Sequence, residues 1–285
     1  MLSGWNTPRM FDNFKDGIVT DEFCDTLKVD FPTHNIYRFP GGTVSNKYEI
    51  SKGGYGDANK TGKNYIYAYI DFLKKVNGKA LLVFNLYSDM VAEKPIKLSE
   101  NLQMLKIVQD AGIEVVGIEL GNELYMYFEC TGVKGRVNAL NRRRFTKKLE
   151  LYKNICGAYK NMIPKGIKIG VPFESYLSER GRMWNAVAET IGDAVCPHYY
   201  TQLSNINEVK FDFVNKLPKS DMEVWVTEFN YAFGAFGTEN IGMKGSVEMQ
   251  ELHKNFPLVC AEYGVKMLIN HSLYGENVYN HYAPN

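Results

Sequence analysis

Short apolar runs rich in Val, Ile, Leu and Phe recur along the chain between longer segments of helical period. No other feature limits the fold as much. The runs are "NIYRF" (35–39), "KALLVFNLY" (79–87), "EVVGIEL" (114–120), "IKIGVPF" (167–173), "DAVCPHYY" (193–200), "EVWVTEF" (223–229) and "VKMLINHSL" (265–273). They are too continuous for strands with one wet face, so they read as buried parallel strands. Amphipathic helices are expected between them, over Asp21–Val29, Tyr65–Val76, Ser99–Ala111, Arg142–Asn161, Leu177–Ile191, Asn207–Leu217 and Val247–Tyr263. "AGIEV", "PKGIKI" and "EYGVKM" each place a Gly directly after a helix and before a strand, where a left-handed residue is wanted. Strands alternating with helices predict a parallel α/β fold, either a closed barrel or an open doubly wound sheet.

At 285 residues and 45% hydrophobic, the chain can bury a large core. No linker, low-complexity tract or boundary interrupts the alternation, so one domain over 1–285 is expected. The ends are thin. Only "MLSGW" precedes the first helix as a possible strand, and little chain follows "NHSLYG". A complete eightfold barrel wants a fuller first strand and a last helix, which predicts a trimmed barrel or a fragment of a longer protein.

Charge and composition exclude several partners. Lys plus Arg number 33 against 32 Asp plus Glu, so no net field attracts nucleic acid or an anionic membrane. No apolar segment approaches the roughly 20 residues that a bilayer needs, and "MLSGWNTPRM" lacks the pattern of a secretory signal. The localisation stays open, an extracellular or periplasmic full-length form included, as does the oligomeric state. Cys24, Cys130, Cys156, Cys196 and Cys260 are odd in number, widely spread and form no C-x-x-C pair, so buried free thiols are expected. The histidines show no H-x-H or H-x-x-x-H spacing, so no metal or other cofactor is expected. Gly41-Gly42 and Gly53-Gly54 lack the residues that complete a phosphate loop and read as tight turns. The basic run "NRRRFTKK" (141–148) reads as a solvated helix face.

In parallel α/β folds the C-terminal ends of the strands face the ligand. Two of those ends carry a lone Glu after an otherwise apolar run: Glu123 in "VVGIELGNE" and Glu228 in "VWVTEF". Burying a carboxylate costs free energy unless it is paired or hydrogen-bonded, and a structural salt bridge would explain either one alone. Two carboxylates facing each other across a pocket are what glycoside hydrolysis requires. One donates a proton to the leaving oxygen; the other attacks the anomeric carbon or activates water. Mutual repulsion disfavours ionising both. Arg38 in "YRFPGG" and Tyr200 in "HYY" sit at strand ends where they could supply the donors that keep Glu228 ionised. The amide of Asn122 suits a sugar hydroxyl beside the reacting carbon.

An Asn-Glu ending a fourth strand, a Glu ending a seventh, an Arg ending the second and His-x-Tyr ending the sixth resemble clan A of the retaining glycoside hydrolases, which are (β/α)8 TIM barrels. "RFPGG", "GNE" and "HYY" are most similar to the arabinofuranosidase and heparanase-like branches. The resemblance spans nearly the whole chain once "MLSGW" is counted as a truncated first strand. It implies Glu123 as acid/base, Glu228 as nucleophile, and carboxyl groups about 5 to 5.5 Å apart. One departure stands out: the clan often has Trp ending strand 8, where "INHSLYG" offers His271 and Tyr274.

Other strand ends supply further candidates for substrate contact: His198 in "CPHYY", Asn85 in "FNLYS", Glu174 after "GVPF", and Tyr274. Each has a structural alternative, a satisfied core histidine for His198 and loop anchoring for Asn85 and Glu174. Aromatics following the acids, among them Tyr125, suit the apolar faces of sugars or simply cover the core. The leading expectation is a retaining glycosidase acting on an oligo- or polysaccharide without a cofactor. The alternative is a non-catalytic carbohydrate-binding barrel or an inactive fragment of a glycosidase. Glu119, inside the fourth strand, points either to a helix or into the barrel.

Overall fold

The computed structural model of the chain describes residues 1–7, 10–52, 65–127, 139–175, 178–217, 221–231, 247–271 and 273. Eight strands run parallel: β1 (Leu2–Asn6), β2 (His34–Phe39), β3 (Lys79–Val83), β4 (Val115–Glu119), β5 (Ile169–Phe173), β6 (Ala194–Thr201), β7 (Glu223–Tyr231) and β8 (Met267–Asn270). They close into a barrel in chain order, because β1 pairs with β2 on one side and β8 on the other. Of the two sheet topologies the sequence left open, the structure is the closed (β/α)8 barrel. The first strand, expected to be truncated, is five residues long, the same as β3, β4 and β5. A last helix after β8 would fall outside the described residues.

Around the barrel lie α1 (Asp21–Asp30), α2 (Tyr65–Val76), α3 (Tyr87–Ala92), α4 (Leu98–Asp110), α5 (Leu124–Tyr127), α6 (Ala139–Met162), α7 (Glu179–Ala188), α8 (Ile206–Lys216) and α9 (Val247–Glu262). Local chemistry sets several of their ends. Thr20 and Ser178 cap α1 and α7 by accepting the N–H groups of Phe23 and Gly181. Gly112, Gly166 and Gly264, each expected to be left-handed, have φ of 80°, 97° and 72°. The run 79–87 does not stay extended: β3 stops at Val83, and Asn85 Oδ1 accepts the Ser88 N–H in the first turn of α3. None of the described helices is long and apolar enough to cross a membrane. Cys24, Cys156, Cys196 and Cys260 are free and buried, and Cys130 lies outside the described residues.

The barrel interior is layered. Ile36, Leu81, Ala194, Cys196, Trp225, Met267 and Ile269 form an apolar plug. Gly117 and Gly170 make room for its largest member: a Cβ on Gly117 would lie 2.6 Å from the Trp225 ring, and one on Gly170 would lie 2.9 Å from it. Two residues further along the same strands the lining turns polar. Arg38 follows Ile36, Glu119 follows Gly117 and Thr227 follows Trp225, all without solvent exposure. Inward positions alternate along a strand, so the apolar layer is the floor on which this polar layer rests.

Candidate active site

Arg38 organises the polar layer. Its Nε donates to Glu119 Oε2 at 2.7 Å, one Nη to Glu228 Oε1 at 2.7 Å, and the other to Asn122 Oδ1 at 2.9 Å. The guanidinium thus joins β2, β4 and β7 through its rigid fork of donors. Glu119 completes its own bonding by accepting from the Thr227 hydroxyl at 3.1 Å. Losing one partner of such a buried pair costs about 3–5 kcal/mol, because the other charge is left uncompensated.

Glu228 sits above this layer because β7 carries a bulge. Between Val224 and Glu228, β7 advances one residue more than β6 does between Val195 and His198. It gains the same extra residue over β8 between Val226 and Phe229. An extra residue breaks the alternation of sides, so the adjacent residues Thr227 and Glu228 both face inward. Glu228 Oε1 accepts from Arg38 and from Asn6 Nδ2 at 2.9 Å, and Oε2 accepts from the Tyr200 hydroxyl at 2.8 Å. Burial alone would raise the Glu228 pKa. The His198 and His271 rings, the Arg38 guanidinium and the Tyr200 hydroxyl overcome it and hold the carboxyl far below the usual carboxylate range.

Glu123 occupies the rim, its side chain 20% exposed against 5% for Glu228. Its φ of 45° is left-handed, a conformation that costs a non-glycine residue about 1–2 kcal/mol. His198 Nδ1 stands between the two acids, 3.0 Å from Glu123 Oε1 and 3.4 Å from Glu228 Oε2. Those oxygens are therefore no farther apart than the sum of the two distances. Burial pulls the His198 pKa down, but Glu228 and Glu123 more than reverse this and raise it above its ordinary value. His271 takes the opposite course: burial keeps it below its ordinary value against the pull of Glu228. Its Nδ1 lies 2.7 Å from Asn6 Nδ2. An amide nitrogen only donates, so Nδ1 accepts and the ring proton sits on Nε2.

The Asn122 side chain is buried, with Nδ2 lacking a hydrogen-bond partner, while its main-chain carbonyl accepts from Asn46 Nδ2 at 3.1 Å. An unpaired buried donor is costly in a finished core and suits a site that a ligand hydroxyl completes.

Of the residues expected from sequence, Glu123, Glu228, Arg38, Asn122, His198 and Tyr200 come together here. The hydrogen bonds of the other two described candidates run elsewhere. Asn85 anchors α3 and donates to the Tyr48 carbonyl at 3.1 Å. The Glu174 carboxylate accepts from Ser178 Oγ, and its main chain is bonded to Asn185. Tyr274 lies outside the described residues. Asn6, Thr227 and Asn46 were not singled out, although Asn6 and Thr227 do carry signals: a polar residue ends the apolar first strand, and a hydroxyl precedes the strand-7 Glu. Among the described residues no three His, Cys, Asp or Glu side chains are grouped to hold a metal ion.

No family model matches the sequence, and no curated protein matches it. Solved structures do match the fold. The GH51 α-L-arabinofuranosidase of Thermotoga petrophila RKU-1 superposes with a TM-score of 0.64 at 12% identity, over 96% of this chain and 64% of that one. The β-glucuronidase of Bacteroides uniformis gives 0.60 at 13% identity over 96% of this chain and 30% of its own. A GH5-4 broad specificity endoglucanase from an uncultured bacterium gives 0.63 at 11% identity, over 96% and 87%. The chain thus spans about a third of that glucuronidase and under two thirds of the arabinofuranosidase. At these identities the likeness is one of fold: the chain has a (β/α)8 barrel like that of these glycosidases.

Proposed function

We propose that the chain is a retaining glycoside hydrolase that cleaves O-glycosidic bonds of an oligo- or polysaccharide by double displacement. The observation that carries this reading is the asymmetry of two acids flanking one imidazole. Glu228 is buried and held ionised by fixed donors, as a nucleophile must be; Glu123 is at the rim, where a departing group passes. The bound that His198 sets on the separation of these two oxygens accommodates the roughly 5–5.5 Å of retaining enzymes.

In the first step a Glu228 oxygen attacks the anomeric carbon while Glu123 gives its proton to the leaving oxygen. Arg38, Asn6 and Tyr200 hold the attacking carboxylate in place, so little reorganisation is needed at the moment of reaction. In the second step Glu123, now ionised, takes a proton from the water that releases the sugar from Glu228. Asn122 Nδ2 offers its free N–H to a hydroxyl next to the reacting carbon. The chemistry uses no cofactor.

A panel of aryl glycosides run on the wild type, Glu123→Ala and Glu228→Gly tests the assignment. The expected outcome is hydrolysis of at least one member by the wild type, with azide restoring the Glu228→Gly variant and giving a glycosyl azide of inverted configuration. Binding of oligosaccharides without cleavage of any activated glycoside would favour a non-catalytic carbohydrate-binding barrel instead.

A further inference from the structure

Three carboxylates meet in this barrel, and the two-acid reaction uses only two. Glu119 is the deepest. It has no solvent exposure, lies one layer below the reacting groups, and spends Oε2 on Arg38 Nε at 2.7 Å and Oε1 on the Thr227 hydroxyl at 3.1 Å. A substrate cannot reach it. Its Oε1 also lies 4.0 Å from His198 Nε2, but its direct hydrogen bond to a cation is to Arg38, whose remaining nitrogens grip Glu228 and Asn122.

We infer that Glu119 is a positioning residue: by holding Arg38 Nε it aims the guanidinium at Glu228 and Asn122 together and shares the cation's charge, so that Glu228 keeps its nucleophilicity. This rests on the reading of Glu228 as nucleophile. An arginine facing one carboxylate alone concentrates its charge there, which stabilises the ionised ground state more than the transition state, where that negative charge is leaving the oxygen. Divided between two carboxylates, the same arginine orients Glu228 with a weaker hold on its electrons. Thr227, brought inward by the bulge that also turns Glu228, fixes the rotation of the Glu119 carboxylate.

Glu119 therefore favours the step in which Glu228 attacks and does not favour the step in which negative charge returns to Glu228 as the sugar leaves it. An activated 2-deoxy-2-fluoro glycoside separates the two. In trapping, a Glu228 oxygen supplies the electron pair of the new bond to the anomeric carbon, and dinitrophenolate departs with the pair of the bond that breaks. In reactivation, a water oxygen bonds to the anomeric carbon and gives its proton to Glu123, while the pair of the breaking bond returns to the Glu228 oxygen. For Glu119→Gln, which keeps shape and a hydrogen-bonding oxygen but removes the charge, trapping is expected to slow by about tenfold or more while reactivation, in which negative charge returns to Glu228, is not slowed. A role limited to holding the fold would slow both together. Thr227→Val, which leaves every charge in place but frees the Glu119 carboxylate to turn, is expected to slow trapping by a smaller factor, with reactivation again not slowed. A wild type and Glu119→Gln that trap at equal rates overturn the inference and leave the nucleophile assignment standing. If Glu119→Gln does not fold, unchanged trapping by Thr227→Val overturns it in the same way. A wild type that no such reagent traps overturns both.

Discussion

Glu228, inside β7, and Glu123, in the segment after β4, touch the same imidazole, yet their surroundings have little else in common. Glu228 is buried, reached through a bulge, and bonded by Arg38, Asn6 and Tyr200. Glu123 is partly exposed, held by a left-handed backbone, and in contact with His198 at 3.0 Å and the Tyr125 hydroxyl at 3.5 Å. One carboxylate is fixed by its partners, the other by its backbone. A carboxylate with many fixed donors, such as Glu228, keeps its charge. That division is the pattern by which environment assigns different roles to chemically identical groups.

With such different surroundings, the two acids should fail differently when replaced. Replacing Glu228 by Gly removes the proposed nucleophile, and kcat should fall roughly 10⁴-fold or more for every substrate, whatever its leaving group. Replacing Glu123 by Ala removes a proton donor, a loss of about 10²–10⁴-fold, and the first step should recover as the leaving group is made more acidic. Steady-state rates on aryl glycosides of graded leaving-group acidity separate the two patterns. Equal sensitivity to the leaving group in both variants would erase the distinction.

The imidazole between them should show itself in stability. His198 has its pKa raised above 6.5 in the folded state. Its contribution is therefore fully present below pH 6.5 and is lost as pH rises through the folded value, at no more than about 1.4 kcal/mol per pH unit. Chemical denaturation of the wild type and His198→Gln, on either side of that range, should show their stability difference shrinking as pH rises. A constant difference would mean that His198 is not held charged by the two acids.

The parallel barrel was legible because buried strands and amphipathic helices leave different periodicities, and because Gly112, Gly166 and Gly264 mark helix ends with a conformation few other residues adopt. Arg38, Asn122, Glu123, His198, Tyr200 and Glu228 were legible as polar residues at the mouths of apolar runs. Less was visible where the local pattern breaks. The bulge in β7 leaves no signature in "VWVTEF", so nothing there shows that Thr227 and Glu228 share the interior. The direction of Glu119 depended on Arg38, which lies far away in sequence and next door only once the barrel has closed. Asn6 escaped notice because its strand looked too short to count, whereas pairing on both sides makes five residues sufficient.

All of this rests on Glu228 forming a bond to the sugar, and the configuration of the first-formed product reports on that step. Proton NMR should follow hydrolysis of an aryl glycoside by the wild type from its earliest turnovers, before mutarotation mixes the anomers. The expected first product has the same anomeric configuration as the substrate. A first product of opposite configuration would mean that water attacks the anomeric carbon directly and that Glu228 is not the nucleophile.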